Sequence, residues 1–440
     1  MSPSRRWLLA GLIVVSSMLS ASASASASAS ASASAVAKPD YVKPPRNRLF
    51  SVHTFSEGLA QVHTRVPEKD LYGYGFVDTE GELVVDPEYD EAEAFHNGRA
   101  AVARYVREQP IKRWGFIDRQ GKVVIGLDYI EAHDFSEGLA AVKTQSGDWQ
   151  FIDRAGHTVL DVQPGWHGVD AHNARLHHPL NDFHDSWLWI VDGERGFNFV
   201  DRNGHKLRDR PFPKAGPFSG GLAMVAIDAT PVPGPKGDNE LARIYDRLSG
   251  PEPKTYDWAM IDTKGQVRFR LADDMSRLGR FVNGRAPFSR DGHWGIVDDQ
   301  GHVVVPARYE HKPRGYGQDT VLFAVDGQRS DNRDGYIETL DRDGQRIARI
   351  PFSDDQGRTI VDAKHRFHEG LLGVELATGV GQDQEFETLG WGFIDARGRL
   401  IVAPQFNGVT NFADGRAFVF PKDAGGAGLI RNPLEAEQAS

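Results

Sequence analysis

The residues best suited to chemistry in this chain gather between Pro164 and Trp189. That stretch holds five histidines (His167, His172, His177, His178, His184), three aspartates (Asp170, Asp182, Asp185) and three tryptophans (Trp166, Trp187, Trp189). Two or three neutral imidazoles with a carboxylate make a divalent-metal site, and His167, His172, His184 and Asp185 are the candidate ligands. The spacing follows no disciplined metal motif such as His-Glu-x-x-His. His177 and His178, adjacent on an extended segment, would point to opposite faces. A second reading gives Trp166, His167, His172, Trp187 and Trp189 to an organic ligand, because recognition concentrates on loop residues freed from packing. Against both stands a plain surface loop with exposed histidines.

Signatures of catalysis are missing from the rest of the sequence. There is no Gly-x-Ser-x-Gly elbow, P-loop or dinucleotide fingerprint, so no catalytic residue and no cofactor is assigned. A glycosidase needs only two carboxylates beside a cleft, and among 61 acidic residues no pair stands out.

Any site must be positioned by a repeated phrase, aromatic-Gly-aromatic-aliphatic-Asp-x-x-Gly. Tyr74-Gly75-Phe76-Val77-Asp78 leads to Gly81, Trp114-Gly115-Phe116-Ile117-Asp118 to Gly121, and Trp391-Gly392-Phe393-Ile394-Asp395 to Gly398. Looser copies end at Asp153/Gly156, Asp201/Gly204, Asp262/Gly265, Asp298/Gly301 and Asp341/Gly344. An Asp that recurs in one frame about eight times reads as a turn former: its side chain bonds its own backbone, and Gly suits the fourth turn position. Calcium would need several converging oxygens, which one Asp per unit does not supply. By the same logic Trp114, Trp149, Trp258, Trp294 and Trp391 read as packing between units rather than a sugar-stacking ladder.

A second phrase alternates with the first: Phe-x-x-Gly-(Leu/Arg)-Ala-x-Val. It starts at Phe55, Phe95, Phe135, Phe218, Phe281, Phe367 and Phe412, with degenerate forms at Phe183 and around Tyr316. A third, seen in Val85-Asp86-Pro87-Glu88-Tyr89 and Val402-Ala403-Pro404-Gln405-Phe406, sometimes follows the Asp turn. Short runs of β-branched and aromatic residues bounded by Gly, Pro and Asp are strands. Three strands are evident in each unit, and Asn239 to Leu248 could form a short helix. Most extra residues, at Arg104 to Arg113, Asp228 to Asp257 and Ala377 to Gly390, fall between the Leu-Ala-x-Val strand and the Trp-Gly strand. Insertions at one topological point emerge on one face of a repeat array, often the binding face.

In this order the phrases resemble those of WG-repeat proteins, bacterial proteins built from tandem Trp-Gly-Phe-Ile-Asp units. The likeness covers roughly residues 50 to 420 and is strongest at 55–160 and 367–420. It implies an all-β repeat domain and carries no defined reaction or set of functional residues. About eight units suit a propeller-like ring. The partial units at the two ends, Phe55 to Val62 and Phe412 to Val419 with Ala427-Gly428-Leu429-Ile430-Arg431, could join to close it. The alternative is an open β-solenoid.

With 40% hydrophobic and 25% charged residues the chain is globular material. A net charge of −10 argues against sequence-independent nucleic-acid binding. The absence of cysteine removes disulfides and thiol chemistry. Arg5-Arg6, the apolar Trp7 to Leu19 and the Ala/Ser run to Ala35 read as an export signal, of the general secretory or twin-arginine kind, with cleavage near Ala35-Val36-Ala37. The apolar part is short for a bilayer span, so stable membrane insertion is not expected. The expected organisation is a leader at 1–37, a linker at 38–50, the repeat domain at 51–431 and a flexible tail at 432–440. The expected product is a periplasmic or secreted protein whose partner is a protein or a glycan.

Overall fold

The second unit shows how the phrases become structure. Its strands are Glu91–Ala92, Ala100–Tyr105, Lys112–Ile117 and Val123–Tyr129, paired antiparallel in that order. The Phe-x-x-Gly phrase is the hairpin joining the first two. Asn97 and Gly98 both have positive φ (53° and 76°), and His96 pairs with Arg99, which makes a two-residue hairpin of the kind whose twist suits its strands. The Asp turn joins the last two: Asp118 Oδ1 accepts from the Gln120 and Lys122 amides at 3.1 and 2.9 Å, and Gly121 takes φ 79°. The same Oδ1 bonds recur at Asp78, Asp153, Asp201, Asp262, Asp298, Asp341 and Asp395. Asp354 makes a further copy outside the repeat frame, between units 7 and 8.

The Trp-Gly glycine is required by a crossing of chains. Trp114 pairs with Tyr129 and Phe116 with Ile125, so four residues of the last strand span two of the strand before it. The surplus arches over Gly115, where a Cβ would lie 2.6 Å from the Ile125 carbonyl oxygen. At Gly75, Gly295 and Gly392 the corresponding distances are 2.4, 2.3 and 2.5 Å, to the carbonyls of Val85, Val305 and Val402. The third phrase is this arch, and its Tyr or Phe (Tyr89, Tyr129, Tyr309, Phe406) pairs with the repeat aromatic.

The computed structural model describes residues 38–43, 49–66, 71–106, 111–164, 166–167, 182–192, 196–231, 254–272, 274–316, 320–325, 335–379, 387–423 and 425–438. Among these the strands form eight hydrogen-bonded sheets, and the seven-stranded one is two units fused through Leu400–Val409. That gives nine units. The eight with Asp turns run in chain order from Leu49–Val52 to Leu400–Val409, and the ninth comprises the end of Leu400–Val409, Arg416–Pro421, Gly428–Arg431 and Tyr41–Lys43. Sequence patterning shows only three strands per unit because the first is often two residues long, too short for any periodicity.

Nine buried clusters sit between consecutive units, which closes the array into a propeller-like ring. Phe76 and Tyr89 of unit 1 pack with Phe95 and Val102 of unit 2, and each later cluster repeats this one step round. The ninth cluster joins last to first: Phe55, Val62 and Val77 pack with Phe418 and Leu429, and the Phe55 and Phe418 rings stack at 5.4 Å. Tyr41–Lys43 supplies the fourth strand of unit 9 by pairing with Gly428–Arg431. Both ends of the chain therefore differ from expectation. Residues placed in a linker supply the closing strand, and the expected tail starts with a buried Asn432 that caps the short helix Pro433–Gln438 and donates to the Glu369 carbonyl at 3.0 Å. Leu434 packs on the cluster between units 8 and 9.

Candidate functional site

The hairpin phrases bind one another round the ring. The residue before the hairpin glycine has positive φ (Glu57 54°, Asn97 53°, Glu137 53°, Asp185 51°, Glu369 49°, Asp414 51°). Its side chain accepts from the matching amide of the next unit: Glu57 from Gly98, Asn97 from Gly138, Glu137 from Ser186, Asp185 from Gly221, Glu369 from Gly415 and Asp414 from Gly58. These bonds, mostly 2.6 to 2.9 Å long, offset the cost of the left-handed backbone at a non-glycine residue. Gly220 stands at this position in unit 5 and can make no such bond to unit 6. Neighbouring units come closest near the axis, so the linked hairpins and the short strands before them mark the inner edge of the ring.

On that edge, units 1 to 4 carry an arc of acids and imidazoles: His53, Glu93, His96, His133, Asp134 and Asp182. His96 Nε2 lies 3.6 Å from Asp134 Oδ2, and His133 Nδ1 lies 3.7 Å from Asp182 Oδ1. Asp134 Oδ1 is buried with no hydrogen-bond partner. Burial pushes the Asp134 carboxyl up to about 6; the carboxylates of Glu93 and Asp182 add to the rise, and His96 and His133 oppose it. Burial also raises Glu93, aided by Glu91 and opposed by His53 and His96. A carboxyl raised to about 6 keeps its proton into mildly acidic conditions and can there donate it or a hydrogen bond.

The arc has a measurable consequence. Folding favours the protonated form of an acid whose pKa is raised above its unfolded value of 3.8. The associated stability is complete below that value and is lost as pH rises through about 6. Asp134→Asn removes this dependence. Urea melts at pH 4 and pH 7.5 should show the wild type losing stability relative to the variant over that interval, by up to about 1 kcal/mol for a carboxyl partly screened by solvent. A pH-independent difference would mean that Asp134 titrates normally.

The family model described as "WG containing repeat" matches residues 74–103, 114–149, 294–311 and 391–420. The chain carries WG repeats. No curated protein matches the sequence. Similar solved structures include a eukaryotic initiation factor, with 13% identity and a TM-score of 0.45 over 90% of this chain and 94% of that one. BamB from Moraxella catarrhalis has 12% identity and a TM-score of 0.34 over 78% and 93%. A post-proline cleaving enzyme from Rickettsia typhi has 8% and 0.33 over 77% and 58%.

The WG-repeat ring places the expected site residues apart from one another. Trp189 is buried between units 4 and 5 and stacks on Phe197, while the partly buried Trp187 stacks on Phe218 and donates from Nε1 to the Thr263 carbonyl at 3.1 Å. Both are packing residues where ligand contact was expected, because their strand lies between two others. Trp166 packs on the cluster between units 3 and 4. The Asp185 carboxylate holds the Gly221 amide, and His184 is exposed on the adjoining short strand Phe183–His184. His167 pairs through its backbone with Val191; its side chain, and all of His172, lie outside the described residues, as does Asn239 to Leu248. Among the described residues no three His, Asp or Glu side chains converge on a metal position.

Trp114 and Trp391 are partly buried between units, as their repetition implied, and Lys364 lies 4.6 Å above the Trp391 ring. What sequence reading missed is the arc itself. Its signal was the pair of residues before each hairpin Phe, where His53, Glu93, His133, Asp134 and Asp182 stand, with His96 just after.

Proposed function

We propose that this chain is an exported binding or scaffolding module of the bacterial envelope that holds a protein or a glycan on one face of its WG-repeat ring. The repeat residues are consumed by architecture: Asp in turns, Gly under arches, aromatics between units. Recognition is left to what varies. The observation that carries the reading is the face formed by the connections between second and third strands, the point in the unit where most extra residues fall. There the neighbouring extended hairpins of units 1 and 2 present Tyr72 and Tyr105 with half their surfaces exposed (50% and 52%), beside Val106 and Ile111. Exposed aromatics with a polar edge suit both sugar rings and protein partners. The leader-like N-terminus supports export.

A Tyr72→Ser/Tyr105→Ser variant tests this. Thermal shift of residues 38–440 against envelope polysaccharide fragments, with pull-down from envelope extract, should show a ligand for the wild type. The variant should keep its own melting temperature and bind at least about tenfold more weakly, a loss of about 1.4 kcal/mol. Unchanged binding by the variant would refute the face.

A second reading has its own observation. A carbohydrate-active enzyme needs a protonated acid near another carboxylate, and Asp134 with Glu93 and Asp182 offers that combination at the inner edge. Release of reducing ends from a bound glycan, abolished in Asp134→Asn, would establish it.

A further inference from the structure

Among the repeated Asp-x-x-Gly turns, the residue before the glycine is Ala155 in unit 3. Every other copy carries a larger polar residue there, from Glu80 and Gln120 to Arg397. At this one turn a cavity of about 620 Å³ opens, lined by Ala155 with Asp153, Arg154, Arg202, Asn97 and Glu137. The missing side chain and the open space coincide.

The arginine next to Ala155 departs from its copies as well. Arg119, Arg202 and Arg342 hold the same turn position and reach back to the hairpin of the preceding unit. Arg202 Nη2 donates to the Glu137 carbonyl at 2.6 Å and Arg342 Nη2 to the Asn283 carbonyl at 2.8 Å. A Cβ on Gly58 would stand 3.0 Å from Arg119 Nη2, whereas one on Gly98 or Gly138 would meet nothing within 4 Å. Among the described residues Arg154 makes no such bond to the unit 2 hairpin, so its guanidinium is left to the cavity it lines. The backbone beneath is held in place: the Arg154 carbonyl accepts from Arg99 Nε at 3.2 Å, and Asp153 Oδ1 accepts from the Ala155 and His157 amides at 2.9 Å. Glu137 is held too, by the Ser186 amide at 2.8 Å.

The lining therefore combines two carboxylates, two guanidiniums and an amide, with no large apolar side chain. An apolar ligand would leave these groups unpaired. Equal numbers of positive and negative groups give no preference for an ion of either sign. What they offer is a dense supply of donors and acceptors on planar forks, each able to meet two adjacent hydroxyls. The volume lies within the range of small-molecule pockets, roughly 300 to 1,000 Å³.

We propose that this cavity, bounded by Arg154, Ala155 and Arg202, binds the end of an uncharged sugar chain through its hydroxyl groups. The first hairpin and the Asp turn lie at one end of each unit's antiparallel strands, and the connection carrying Tyr72 and Tyr105 lies at the other. The sugar site is thus on the opposite face from those tyrosines and stands or falls separately from them.

The test is calorimetric titration of residues 38–440 with maltose, cellobiose, lactose and N,N′-diacetylchitobiose, carried into the millimolar range. At least one should bind saturably, with an affinity that added salt leaves unchanged because the ligand is neutral. Ala155→Gln restores the residue type of the other turns and fills the cavity. It should keep the wild-type melting temperature and weaken binding at least about tenfold. Arg154→Ala should weaken binding several-fold through lost hydrogen bonds. Lys264→Ala, at the position of Ala155 but in unit 5, should bind as the wild type does. No saturable binding to any of the four sugars, or binding that survives intact in folded Ala155→Gln, would overturn the proposal.

Discussion

Gly115→Ala should destabilise the protein by on the order of 3 kcal/mol or more, although it adds a single methyl group. The new Cβ would stand 2.6 Å from the Ile125 carbonyl oxygen and 2.7 Å from the Gly126 carbonyl carbon. Both are backbone atoms of the arch, so no rotamer change relieves the contact. Either the arch lifts, breaking the Trp114–Tyr129 pair, or the third strand shifts against Phe116, which is fully buried between units 2 and 3. Val123→Ala on the same sheet is the control. Val123 is 42% exposed, and its truncation should change stability by no more than about 0.5 kcal/mol. Urea denaturation of the two variants beside the wild type measures both. Equal stability of Gly115→Ala and wild type would mean that the glycine serves something other than the crossing.

The second large effect concerns closure. A chain beginning at residue 44 lacks Tyr41–Lys43 and should lose about 3 kcal/mol or more, since Tyr41 and Val42 pack on the two clusters that flank unit 9. It should also associate with itself. Without its partner, the strand Gly428–Arg431 becomes an open edge with Leu429 and Ile430 beside it, and such edges pair between molecules. Denaturation combined with light scattering reports both properties. Removal of residues 436–440 is the matched control, because Asn432, Leu434 and the Arg416–Glu435 contact are all retained. A truncated chain as stable and monomeric as that control would show that the N-terminal strand is not part of unit 9.

What could be read from the sequence was what the fold does locally and often. The Asp-x-x-Gly turn is closed by bonds two and four residues away, so its residues announce it in every copy. The two glycines of positive φ and close approach, Gly121 and Gly115, are likewise fixed by neighbours in the same hairpin. The inter-unit bonds were harder to see, because Glu57 and Gly98 are joined by geometry between units while nothing in Phe-x-x-Gly names the acceptor's partner. The closing strand Tyr41–Lys43 was taken for linker because three residues show no alternation, and its partner lies at the far end of the chain. The histidine-rich stretch drew attention by composition, yet its tryptophans serve the core. The arc of Glu93, Asp134 and Asp182 was missed because its members are scattered singly through three units, and only the ring brings them to one edge.

The central claim is that the repeats close into a ring, and the absence of native cysteine allows a direct test. Glu80 of unit 1 and Arg431 of unit 9 are partly exposed, with Arg431 Nη2 3.6 Å from Glu80 Oε2. A Glu80→Cys/Arg431→Cys variant, treated at high dilution with a short bismaleimide, should form an intramolecular cross-link under native conditions and fail to form it in denaturant. Resistance to cross-linking by the folded variant, with both thiols reacting freely with a monofunctional maleimide, would contradict closure and favour an open array.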